Sequence, residues 1–239
     1  MVVLENVVKT YRRRRGDVKA LSDINLQIEK GEFVVVCGPS GSGKTTLLMT
    51  IAAMLQPTSG SVCVEQNDLY TMSIRDRAKF RAENIGFVFQ MFHLVPYLNI
   101  IENVVLACRC VSPLSAVADG KGGQQAGGVA SRDSGAVKAN ELLKQLGLAK
   151  RAFHRPSELS AGEKQRAAIA RALFNRPKII LADEPTGNLD PDNAASVIGY
   201  LSEFHHSGGT VILATHGTEA EQFADRIIHL RDGGIDNAG

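Results

Sequence analysis

Eight consecutive residues, Gly38-Pro39-Ser40-Gly41-Ser42-Gly43-Lys44-Thr45, constrain this chain more than any other feature in it. They complete the pattern G-x-x-x-x-G-K-[ST]. They also stand between an all-apolar run, residues 33–37, and a stretch of helical character, residues 44–55, that stops before Pro57. A strand, a glycine-rich turn and a helix in that order let successive backbone N–H groups converge on phosphate oxygens at the positive end of the helix. Gly38, Gly41 and Gly43 allow the loop to curl through φ values that side chains disfavour. Lys44 is placed to bring a point charge to the β- and γ-phosphates, and the Thr45 hydroxyl to ligate Mg²⁺. Ser40 and Thr46 belong to the same phosphate-facing set.

A second apolar run, residues 178–182 after its first residue, ends in Asp183 and Glu184. A strand finishing in acids delivers carboxylates to the edge of a parallel sheet where ligands of open α/β folds bind. Asp183 suits a Mg²⁺ shell, and Glu184 suits polarising a water for in-line attack on a γ-phosphate. Taken alone, the pair reads equally well as strand-end acids facing solvent.

The rest of the pattern predicts an α/β fold with a mostly parallel sheet. Residues 2–8 and 21–28 alternate apolar and polar and read as antiparallel strands at an edge. Short strands are expected at 61–64 and 85–89 around a charged helix over 73–84. Further helices are expected at 100–109, 136–146, 160–175 and 192–205, with Ser160 and Glu163 forming an S-x-x-E capping box. Buried strands are expected at 210–214 and 227–230. One domain over 1–239 results, with a core from 1–95 and 176–239 and a helical lobe over 96–175. Residues 111–134, rich in Gly, Ser, Ala and Gln, read as a flexible insertion in that lobe, either a tolerated surface loop or a partner contact.

Composition narrows the function classes. A formal charge of +2 on 239 residues gives no case for nucleic-acid binding. No run of about 18 apolar residues occurs, so no bilayer-spanning segment is expected. Cys37, Cys63, Cys108 and Cys110 include no C-x-x-C pair and read as small buried residues in a reducing compartment. The run Arg12–Arg15 reads as a solvated hairpin loop, with acidic lipid or nucleotide phosphate as the alternative contact.

Five more segments, in order, give the chain a resemblance to the ABC ATPase family. Leu159-Ser160-Ala161-Gly162-Glu163-Lys164-Gln165-Arg166 resembles its signature sequence. Gln90, closing Gly86-Phe-Val-Phe-Gln90, resembles the Q-loop glutamine, and Asn188-Leu189-Asp190 resembles the D-loop. His216 resembles the switch histidine, and Tyr11 the aromatic that stacks on adenine. The resemblance implies a P-loop NTPase core with an antiparallel β edge subdomain and an inserted helical lobe. It implies ATP and Mg²⁺ as cofactors, with Thr45, Gln90 and Asp183 at the metal, Glu184, His216 and Lys44 as catalytic residues, and Asp190, Ser160 and Gly162 at the nucleotide. It also implies a dimer in which Ser160 and Gly162 of one chain face the γ-phosphate held by the other. An N-cap role for Ser160 is compatible with this. Two departures stand out: Ala161 where a glycine is usual, and Gly217 where an aspartate is common.

The stretch Phe87–Pro96, Glu102-Asn103-Val104 and Pro185–Asp190 resemble the subgroup of lipoprotein-releasing, macrolide-exporting, antimicrobial-peptide-resistance and cell-division ATPases. That implies a homodimer or pseudo-symmetric dimer acting on an integral membrane permease, peripheral on the cytoplasmic face of the cell membrane. It also implies no C-terminal regulatory domain after Leu230–Gly233. The alternatives are a soluble ABC ATPase of a non-transport assembly system, such as iron–sulfur cluster building, and a regulatory module that binds ATP but hydrolyses it poorly.

Overall fold

The computed structural model describes residues 1–12, 16–109 and 128–236, and their side chains except at 108–109 and 128–134. The elements run β1 (Val2–Tyr11), β2 (Val18–Ile28), β3 (Phe33–Cys37), α1 (Lys44–Ile51), β4 (Ser59–Val64), β5 (Asn67–Asp68), α2 (Ile74–Asn84) and β6 (Ile85–Val88). They continue with α3 (Ile100–Arg109), α4 (Gly128–Gln145), α5 (Ala161–Leu173), β7 (Ile179–Asp183), α6 (Pro191–His206), β8 (Thr210–Thr215), β9 (Arg226–Arg231) and β10 (Gly234–Asp236).

Among the described residues the strands form two sheets, ordered β2-β1-β4-β5 and β10-β9-β3-β8-β7-β6. The first is antiparallel throughout. The second is parallel from β9 to β6, with β10 antiparallel at its edge. The apolar runs 33–37 and 179–183 are buried on both faces because the parallel sheet is covered on both. Side chains alternate across it. Phe33, Val35, Ile180, Ala182, Val211 and Leu213 pack with the helices α3 to α6. Val34, Val36, Leu181, Ile212 and Ala214 pack with α1 and the antiparallel sheet. Helices α3, α4 and α5 therefore share one apolar cluster with the sheet rather than enclosing a separate core.

Several expectations change. The helix expected over 44–55 ends at Ile51, since Ala53 adopts a left-handed φ of 56° and turns the chain. The expected flexible insertion over 111–134 is corrected at its end: residues 128–134 already belong to the backbone of α4, and residues 111–127 lie outside the described residues. Cys110 lies outside them too. The strand at 227–230 is not buried throughout; Ile227 is exposed while Ile228 and Leu230 point inward, as in a strand covered on one face. The capping box on α5 is present as expected: Ser160 Oγ accepts from Glu163 N–H at 3.2 Å, and Glu163 Oε2 accepts from Ser160 N–H at 2.8 Å. No helix among the described residues is long and apolar enough to cross a membrane.

Candidate active site

Parallel register assembles the site. Cys37 stands opposite Thr215, and Asp183 opposite Ala214, so β3, β7 and β8 end at one level. The next residue of each strand opens a loop at that edge: Gly38, Glu184 and His216. Three distant segments thus meet at the sheet's C-terminal edge because their strands are of matched length.

The phosphate loop sits against β2 and β9. A Cβ on Gly43 (φ 109°) would overlap the Ala20 carbonyl, and one on Gly38 would overlap the Leu230 carbonyl. These glycines therefore allow close backbone approach as well as the loop's turn. Lys44 is buried, and its ammonium donates to the carbonyls of Gly38 at 2.7 Å and Pro39 at 3.2 Å. The same ammonium lies 3.5 Å from Glu184 Oε1. Glu184 Oε2 is 2.8 Å from His216 Nδ1, a contact that makes a hydrogen bond when Nδ1 carries the proton. Glu184 itself has a left-handed φ of 46°, fixed by its N–H donating to the Ala214 carbonyl at 2.9 Å. That turn aims its carboxylate between the lysine and the histidine.

Asp183 is buried one residue earlier and accepts from the Thr45 hydroxyl at 3.0 Å. Burial pushes its carboxyl above the usual range; the Thr45 hydrogen bond opposes this, the Glu184 charge adds to it, and Lys44 opposes it. A proton-hungry acid beside a hydroxyl is a site short of positive charge. The donor set of Thr45, Asp183 and the Gln90 carboxamide is all oxygen, which fits the preference of Mg²⁺.

A cleft of about 440 Å³ is lined by Ala20, Ser40, Gly41, Gly43, Lys44, Thr45, Thr46, Gln90, Glu184 and His216. Thus Ser40, Gly41, Gly43, Lys44, Thr45, Thr46, Gln90, Glu184 and His216 share one cavity, while Gly38 and Asp183 lie outside its lining. Tyr11 does not line it. The ring is exposed at the end of β1, with the Lys9 ammonium 5.3 Å from its centre, and Ala20 supplies the β2 contribution instead. A larger cleft of about 520 Å³, between α4, α6 and the starts of the strands, carries none of these groups and lies away from the chemistry.

Ser160, Gly162 and Asp190 also stand outside the cleft. Ser160 and Asp190 are exposed, each capping a helix, α5 and α6 respectively. Asn193, which lies outside the quoted motifs, and Arg166, which closes the signature segment, join them. Asn193 donates from its N–H to Asp190 Oδ1 at 3.0 Å and from Nδ2 to Asp190 Oδ2 at 2.7 Å, while its Oδ1 accepts from Arg166 at 2.7 Å. A Cβ on Gly162 would overlap the Asn193 carboxamide. The one legible signal was Asp190-x-x-Asn193, the spacing of an N-cap and its third helical residue. Ala161, by contrast, is exposed at the first position of α5 without positive φ, so its methyl has space. At Gly217 a side chain would meet the Glu219 carboxylate, so an aspartate there would face a like charge.

The chain is similar to known proteins over nearly its whole length. The family model described as ABC transporter matches residues 21–187. The chain is 38% identical over 237 residues to the lipoprotein-releasing system ATP-binding protein LolD 2 of Caulobacter vibrioides, covering 99% of this chain and 96% of that one. It is 40% identical over 235 residues to the macrolide export ATP-binding/permease protein MacB of Chlorobaculum tepidum, covering 98% of this chain and 33% of that longer one. Among solved structures it is similar to the ATP-binding cassette MJ0796, a dimer in a post-hydrolysis state bound to ADP and Pi. The TM-score is 0.86 at 38% identity, covering 99% of this chain and 97% of that one. The chain belongs to the ABC transporter family, as an ATP-binding and ATP-hydrolysing subunit.

Proposed function

We propose that this subunit drives an export or extrusion complex: two copies, or one copy and a related chain, close head to tail on ATP beneath an integral membrane permease at the cytoplasmic face. One observation carries the reading. Lys44, Thr45, Gln90, Glu184 and His216 surround one cleft, while Ser160 and Gly162, at a helix N-terminus suited to an anion, form no part of its lining. Each chain thus holds most of one site and a fragment of another. The names of LolD 2 and MacB, both export-type systems, and the dimer of MJ0796 support the same reading.

In the proposed cycle the loop amides and Lys44 bind the β- and γ-phosphates, the ammonium leaving the carbonyls of Gly38 and Pro39. Thr45, Asp183 and Gln90 would hold Mg²⁺, which supplies charge neutralisation at the phosphates. Glu184, released from Lys44, orients and deprotonates the attacking water. His216 holds Glu184 Oε2 and, with nucleotide present, contacts the γ-phosphate. Ser160, Gly162 and Asp190 meet the nucleotide of the opposite chain.

Permease docking is supported by exposed apolar side chains in and beside the helical segment 96–175. Met91 and Tyr97 are exposed on the segment after β6, and Phe153 on a neighbouring one. The two segments are joined by Ile100 N–H donating to the His154 carbonyl at 3.0 Å and Ile101 N–H to that of Ala152 at 2.9 Å. Large apolar groups standing in water mark an interaction surface.

Glu184→Gln tests the assignment of the base. Steady-state ATPase should fall by roughly 10²–10⁴-fold, with ATP retained and a dimer appearing in size-exclusion chromatography. Normal turnover in that variant sinks the base. Fractionation of the native host tests the partner: the chain should pellet with membranes, and recovery in the supernatant alone would favour a soluble assembly factor.

A further inference from the structure

Asn193 lies outside every motif quoted from the sequence, yet it touches both Asp190 and the helix that begins at Ser160 and Gly162. Asp190 begins α6, which packs on the parallel sheet, whereas Ser160 and Gly162 begin α5 in the helical lobe. Asn193 bridges them with its whole carboxamide. Nδ2 donates to Asp190 Oδ2 at 2.7 Å, and Oδ1 accepts from the Arg166 guanidinium at 2.7 Å. Its backbone N–H donates to the other Asp190 oxygen at 3.0 Å. Gly162 completes the contact by having no side chain, since a Cβ there would overlap the carboxamide. The amide is suited to this position. It donates to a carboxylate from one end and accepts from a guanidinium at the other while remaining uncharged.

We infer that Asn193 is a positioning residue that holds Asp190 and the Ser160–Gly162 helix terminus at a fixed spacing, so that both meet the opposite chain's nucleotide in one closing step. The inference rests on the proposed head-to-tail dimer and adds to it a specific strut between sheet and lobe. Asp190 needs such a tie. It is fully exposed, and its carboxyl is held below the usual range chiefly by the Asn193 side chain and then by the Asn193 backbone. Arg166 likewise has no carboxylate partner among the described residues, so Asn193 is the group that orients it.

The experiment compares Glu184→Gln with Glu184→Gln/Asn193→Ala and Glu184→Gln/Asn193→Asp. Each protein is titrated with ATP, following dimerisation by sedimentation and nucleotide binding with a fluorescent ATP analogue. Asn193→Ala should weaken ATP-dependent dimerisation by about tenfold, while analogue affinity in the dilute single chain stays within about twofold. A residue that merely supported the fold would lower both together. Asn193→Asp keeps the acceptor for Arg166 but sets a carboxylate against Asp190. Dimerisation should therefore stay weakened in it, even where melting shows an intact fold. Equal dimerisation in all three proteins overturns the strut and leaves the dimer standing. Failure of Glu184→Gln itself to dimerise overturns the dimer reading, and the strut with it.

Discussion

Asp183 shows how a single buried group can set function against stability. Its raised proton affinity means that the folded chain binds a proton more tightly than the unfolded one. Stability of the nucleotide-free protein should therefore fall as pH rises through the raised value, because the ionised carboxylate is desolvated. Asp183→Asn keeps an acceptor for the Thr45 hydroxyl and removes the charge. Its expected outcome is a melting temperature higher by roughly 2–4 °C at neutral pH, about 1 kcal/mol for a chain of this size, together with severe loss of ATPase activity. Calorimetry without nucleotide checks the first half; a lower melting temperature would contradict the burial argument. Neighbouring residues of the signature segment differ as sharply. Gly162→Ala drives a methyl into Asn193 and should cost ~1–3 kcal/mol, with at least a tenfold loss of ATPase measured alongside the melt. Ala161→Gly meets no such clash and should cost no more than about 1 kcal/mol, through lost helix propensity alone.

At the scale of elements, α5 is the helix whose cap was legible in the sequence and is present in the structure. Its first turn is closed by the Ser160–Glu163 box, and Glu163 also pairs with Arg151 at 2.8 Å. The Ser160 N–H, then the Arg151 guanidinium, holds the Glu163 carboxyl below its ordinary value. A depressed carboxylate contributes stability that is present above its unfolded pKa and is lost as pH falls through the folded one. Glu163→Ala should thus lower the melting temperature by about 2–4 °C near neutral pH, roughly 1 kcal/mol for a cap of this kind. The gap from wild type should close as pH falls through the lowered folded value, and a gap that persists to the acid limit of the folded state would assign the effect to packing instead.

What could be read in advance followed from strong periodicity. The runs at 33–37 and 178–182 announced central strands because burial on both faces leaves no polar alternation to confuse them. β5 and β10 escaped notice, being two and three residues long and mostly polar or glycine. The start of α4 escaped for another reason: Gly128 to Ser134 has the composition of a linker, and its helix continues from a well-patterned stretch after it. Motif spacing named most of the side chains around the cleft, but the Ala20 lining and the Asn193–Arg166 contact join distant segments, which no local pattern encodes.

For the whole molecule, the separation of Ser160 and Asp190 from the phosphate cleft has a kinetic consequence under the proposed dimer. An isolated chain holds ATP without the groups that complete the site, so turnover requires collision of two loaded subunits. Specific activity of the purified protein should rise with enzyme concentration, and the total rate should approach a square-law dependence when dilute. A specific activity constant from nanomolar to micromolar protein would show that one chain suffices. Tethering two copies on one permease replaces collision with an effective local concentration in the millimolar range. The same geometry then acts as a check on assembly: stray subunits idle, and fuel is consumed only where there is a load to pull.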